Sequence, residues 1–124
     1  MDDEKMKNYT LPRHSDQPIL TTHAVKPYSP GFKVLGAFNP AACRFGHEVI
    51  LLLRVAEAPV PEPGWLHVPT VEFANGNATL TVQRFPEPSQ PYDSRVLTID
   101  GQTYLTSLSH LRLARSTDGI HFTI

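Results

Sequence analysis

The chain has 124 residues, a formal net charge of −1 and a single cysteine, Cys43. That length holds one domain with a core and leaves little for a second. The charge balance excludes a polyanion as the principal partner, because nucleic-acid binders carry a marked basic excess. One thiol excludes an intrachain disulfide and a thiolate metal cluster, and it biases the chain weakly toward the cytosol.

In chain order, residues 1–31 read as an extended N-terminal arm. The segment is polar, begins with acidic residues and is interrupted by Pro12, Pro18, Pro27 and Pro30, which remove donors and restrict their neighbours. It has no secretory signal pattern. Residues 32–124 form the body. A first strand is expected from Phe32 to Phe38, ended by Asn39-Pro40, with Ala41–Phe45 and Glu48–Val55 following as a hairpin about Gly46-His47. The apolar run Val49 to Leu53 is too short to cross a bilayer. Ile50 to Leu53, closed by Arg54, reads as a strand covered on both faces. A charge at its end needs a partner or water.

Residues 56–65, with Pro59, Pro61, Pro63 and Gly64, read as a surface excursion. Leu66–Phe73 and Ala78–Phe85 flank Asn75-Gly76, a two-residue hairpin signal. A second proline-rich turn leads to Arg95–Ile99. Asp100-Gly101 then returns the chain through Thr103–Leu108, and Leu111–Ser116 and Ile120–Ile124 complete the series about Asp118-Gly119. No segment sustains a helical period, so the fold class is all-β. Ending on an apolar strand predicts a partner at that edge or a longer protein.

Three elements carry a resemblance: Phe38-Asn39-Pro40-Ala41; the strand ending Leu52-Leu53-Arg54; and Ser109-His110-Leu111-Arg112-Leu113-Ala114-Arg115-Ser116-Thr117-Asp118-Gly119-Ile120-His121-Phe122. In order and separation they resemble the N-terminal portion of glycoside hydrolase family 130, the β-mannoside phosphorylases and related mannosidases. The resemblance covers residues 32–124. It implies a five-bladed β-propeller, with residues 1–31 as the arm and 32–124 as about the first blade. It further implies inverting cleavage of β-mannosides by inorganic phosphate to give α-mannose 1-phosphate. Phosphate is then a co-substrate, and no metal or organic cofactor is expected. The substrate would be a β-mannooligosaccharide or a mannosyl-glucose. Alternative readings are a β-mannoside hydrolase of the same fold and a non-catalytic carbohydrate-binding or structural β module.

The family's general acid is an aspartate in a Glu-Asp-Pro-Arg element that follows the third match, and nothing here corresponds to it. Asp93-Ser94-Arg95 precedes that match, so no catalytic residue is assigned and the chain alone is expected to be inactive. The remaining blades, or self-association, would cover its edges.

The resemblance implies that Asn39 and Arg54 contact substrate. A short amide before proline, held in an extended backbone, presents donor and acceptor to sugar hydroxyls, although an Asx turn closing the strand would also explain it. Arg54 offers a rigid fork of donors for the −1 sugar, the alternative being a salt bridge to Glu57 or a buried aspartate. On the strand bearing Ser109, parity puts Leu111 and Leu113 on one face and His110, Arg112 and Ala114 on the other. His110 and Arg112 complete the candidate substrate-binding set, with hydrogen bonding inside the blade as the alternative. Asp93 and Arg95 suit a local ion pair, and Asp118-Gly119 a turn. Trp65 could stack on a sugar or cover the arm, and Cys43 reads as a buried, inert thiol. The six histidines lack ligand spacing, so no metal site is expected.

Overall fold

The computed structural model describes residues 10–124; the first nine residues of the expected arm lie outside them. Among the described residues, seven strands make three antiparallel sheets. Strands β1 (Phe32–Phe45), β2 (Glu48–Pro59) and β7 (Leu108–Ser116) form one sheet with β2 in the middle. Strands β3 (Trp65–Ala74) and β4 (Asn77–Pro86) form a long hairpin. Strands β5 (Val96–Ile99) and β6 (Gln102–Leu105) form a short one. The all-β expectation holds. No helix of the described residues is long and apolar enough to cross a membrane.

The turn residues act as their chemistry dictates. Asn75 and Gly76 have φ of 52° and 76°, and Asp100 and Gly101 have φ of 50° and 79°. Two consecutive left-handed residues are what a type I′ hairpin requires.

Several boundaries differ from the sequence expectation. Asn39-Pro40 does not end a strand: β1 runs through it, with one extra residue there and another at Leu35. Phe38 pairs with Arg54 and Ala41 with Leu52, leaving Asn39 and Pro40 opposite Leu53. A bulge absorbs this mismatch, and a proline is tolerated because β1 is an edge strand of its sheet. Asn39 is consequently not extended but left-handed, with φ of 47°.

β2 continues into the predicted excursion as far as Pro59. β7 accompanies it only to Glu57, so beyond that point β1 is its sole partner and a missing donor is harmless. Thr103–Leu108 is not one strand, because β6 ends at Leu105 and β7 begins at Leu108. Ile120–Ile124 is not a strand either. A single bridge joins Thr123 to Arg115, with both backbone bonds at 2.8 Å. The turn before it is tied down by Asp118, whose carboxylate accepts the amides of Ile120 and His121.

β2 alternates rather than being covered on both faces: Leu53, Val55 and Glu57 are buried, whereas Leu52 and Arg54 are exposed. The buried side is the core. Leu53, Val55 and Ala114 meet Val25 of the arm there, with Leu20, Val34, Ala37, Leu51, Phe122 and Ile124 packed around them. The arm therefore lies along one sheet face, led in by a short 3-10 turn at Thr22–Ala24. Cys43 is exposed, contrary to expectation. It sits in the half of β1 beyond the bulge, all of which is exposed.

Candidate carbohydrate-binding site

Arg54 stands at the rim of a cleft of about 780 Å³ where the three sheets meet. β2 contributes Arg54, β7 Ser109, the β3–β4 hairpin Thr70 and Glu72, and β6 Gln102 and Tyr104. Amides, hydroxyls, a carboxylate and a guanidinium around one concavity can satisfy both donors and acceptors of a polyhydroxylated ligand. None of the described carboxylates pairs with Arg54. The guanidinium carbon instead lies 5.2 Å from the centroid of the Phe38 ring. The proposed pair with Glu57 is absent because residues an odd number apart on a strand point to opposite faces.

The four candidate residues do not converge. Asn39 follows Phe38, the ladder partner of Arg54, so the two positions are diagonal neighbours in the ladder, but Asn39 is not among the residues that line the cleft. His110 and Arg112 pair with Val55 and Leu53, and so share the opposite, arm-facing side. There Arg112 donates to the backbone oxygen of Lys26 at 3.0 Å. His110 Nε2 lies 3.2 Å from Glu57 Oε2, off the line of a hydrogen bond. Its ring is tilted against Tyr28 with centroids 5.9 Å apart. Glu57, 1% exposed, accepts the Tyr28 amide at 2.7 Å. These groups fasten the arm to the sheet. The parity expected for β7 is correct, and the two basic side chains fall on its inner face.

Other residues singled out in the sequence have local partners. Arg95 grips Asp93 through its backbone amide at 2.9 Å and its guanidinium at 3.0 and 3.1 Å. That side-chain contact, chiefly, lowers the Asp93 pKa and raises that of Arg95. The Trp65 ring is covered on one side by the Arg84 guanidinium at 3.5 Å. Arg84 in turn binds Glu62 at 2.6 and 3.0 Å, and its hydrogen bonding is the main cause of a lowered Glu62 pKa. Asp118 is held well below the usual carboxylate range, first by the His121 side chain and then by the His121 and Ile120 amides. Asp118-Gly119 is a turn, with Gly119 at φ of 76°.

Sequence reasoning missed Thr70, Glu72, Gln102 and Tyr104, because only folding brings the two hairpins beside Arg54. It also missed the anchoring role of Glu57. The signal was present there: Glu57 shares the inward parity of Leu53 and Val55.

No family model matches the chain. It is 42% identical, over 119 aligned residues, to the β-1,2-mannobiose phosphorylase of Listeria innocua, covering 90% of this chain and 33% of that protein. A solved structure of the Listeria innocua enzyme in complex with β-1,2-mannobiose superposes with a TM-score of 0.72 over the same shares of the two chains. The chain thus spans about a third of the length of the relative it matches. Over nine-tenths of its own length, it is a homologue of a β-mannoside phosphorylase, as the elements around Asn39, Arg54 and Asp118 implied.

Proposed function

We propose that this chain is the sugar-gripping part of an inverting β-mannoside phosphorylase, within a five-bladed propeller whose first blade spans residues 32–124. The observation that carries the reading is an Arg54 guanidinium without a carboxylate partner among the described residues, lining a polar cleft, in a chain 42% identical to a β-1,2-mannobiose phosphorylase. Arg54 and the Asn39 amide hold the hydroxyls of the sugar whose bond breaks. An acid outside this chain protonates the glycosidic oxygen, and phosphate attacks from the opposite face, the geometry of inversion. Phosphate takes the place of an activated water, and cationic donors elsewhere in the protein hold it. β-1,2-Mannobiose is the proposed substrate, α-mannose 1-phosphate and mannose are the products, and the cytoplasm is the proposed compartment. His110 and Arg112 serve the arm rather than the sugar.

Phosphorus NMR of the intact protein with β-1,2-mannobiose and inorganic phosphate tests the reading. It predicts α-mannose 1-phosphate and one mannose for each phosphate consumed. Cleavage that proceeds equally without phosphate would establish the hydrolase instead, and no cleavage under either condition would favour a binding module.

A further inference from the structure

We infer that Phe38 and Gly36 form a positioning pair that sets the Arg54 guanidinium at the cleft. The inference rests on the proposed sugar contact of Arg54 for its functional meaning, and on geometry of its own for the pairing. Phe38 is opposite Arg54 in the β1–β2 ladder, so the two side chains leave the sheet on the same face. The ring takes the guanidinium at 5.2 Å from its centroid, within the range of a cation–π contact. With no carboxylate among the described residues to hold Arg54, the ring is its restraint.

Gly36 explains how the ring reaches that place. Gly31, Gly46, Gly64, Gly76, Gly101 and Gly119 all have positive φ, so their backbones call for glycine; Gly36, the remaining one of the seven, does not. A Cβ on Gly36 would lie 2.7 Å from Phe38 Cε1 and 2.9 Å from Cδ1. The ring therefore folds back along β1 into the space a side chain would fill. The bulges at Leu35 and at Asn39-Pro40 bracket this short piece and set its register independently of the rest of β1. A free arginine loses several rotors when it grips a ligand. Holding it beforehand removes part of that loss, so the pair should act on sugar affinity.

A double-mutant cycle in the intact protein tests this, with KM for β-1,2-mannobiose and for phosphate measured separately. Phe38→Leu and Gly36→Ala should each raise the mannobiose KM about three- to tenfold, the scale of a partly exposed cation–π contact. The phosphate KM should not move. Phe38→Tyr keeps the aromatic face and should restore affinity. The double variant should be no worse than Phe38→Leu, since both changes remove one contact. The Arg54 Nε–Hε resonance reads the contact directly: its ring-current shift should vanish in Phe38→Leu and Gly36→Ala and persist in Phe38→Tyr. A shift unchanged by both variants, or additive KM effects, would overturn the inference. If Arg54→Ala has normal kinetics, the sugar contact fails, and the resonance alone still decides the positioning pair.

Discussion

Asp118 shows at the scale of one residue how a short motif becomes structure. Its Oδ1 accepts the Ser116 hydroxyl and two amides at 2.8 Å, and its Oδ2 lies 2.6 Å from His121 Nδ1. These bonds favour the ionised form, which is why its pKa falls. A carboxylate depressed on folding adds stability that is complete above its unfolded pKa of about 3.9 and is lost as pH falls through the lower folded value. Asp118→Asn should therefore lower the Tm at neutral pH, and the gap to wild type should close as the pH is taken from 5 toward 2. A gap constant across that range would show that the charge contributes nothing. The turn role of Asp118-Gly119 was legible because it needs only neighbours in sequence. Cys43 was not, because its exposure depends on what covers β1. The Asn39 conformation was also misread: Pro40 restricts its predecessor, but the bulge opposite Leu53 demanded a left-handed residue, and asparagine tolerates one.

Among the elements, the hairpins were the most legible. Asn75-Gly76 and Asp100-Gly101 specify their turns locally, and β3 and β4 follow within a residue or so at each end. The β1–β2–β7 sheet was less so, since its bulges and the reach of β2 to Pro59 are settled by pairing across the sheet. The arm was expected to be extended; from Leu20 to Tyr28 it is docked on the sheet, with Val25 in the core, while residues 10–18 are exposed. Val25→Ala should cost about 1–3 kcal/mol, the scale of a truncated core aliphatic. Glu57→Ala should cost roughly 1–3 kcal/mol because it strands the Tyr28 amide. Glu57→Gln should be milder, since its amide oxygen can still accept that bond. Denaturant melts of the three variants check this order. If Glu57→Ala matched wild type, the Tyr28 latch would be irrelevant to docking of the arm.

At the scale of the molecule, the exposed sides of the sheets are what the isolated chain leaves unsatisfied. Leu111 and Leu113 are 63% and 49% exposed on the outer face of β7, and Val71, Phe73, Leu80 and Val82 are exposed on the β3–β4 hairpin. Contiguous apolar surface of this kind mediates association. The 124-residue chain alone should run larger than a monomer in light scattering and should not consume β-1,2-mannobiose. A stable, active monomer would contradict both the proposed propeller and the proposed location of the acid outside this segment. The proposed division of labour, with the sugar grip here and the acid elsewhere, reduces to Arg54. Because Arg54 is exposed and has no carboxylate partner among the described residues, its loss should lower stability by no more than about 1 kcal/mol. A charged, multiply bonded sugar contact made in the transition state is worth roughly 2–4 kcal/mol, or about thirty- to a thousandfold in kcat/KM. The most direct measurement is kcat/KM for phosphorolysis of β-1,2-mannobiose together with Tm, on one preparation of the intact Arg54→Ala protein. A loss of that size with a nearly unchanged Tm is the predicted result. Unchanged kinetics with a large fall in Tm would show that Arg54 supports the fold and not the sugar.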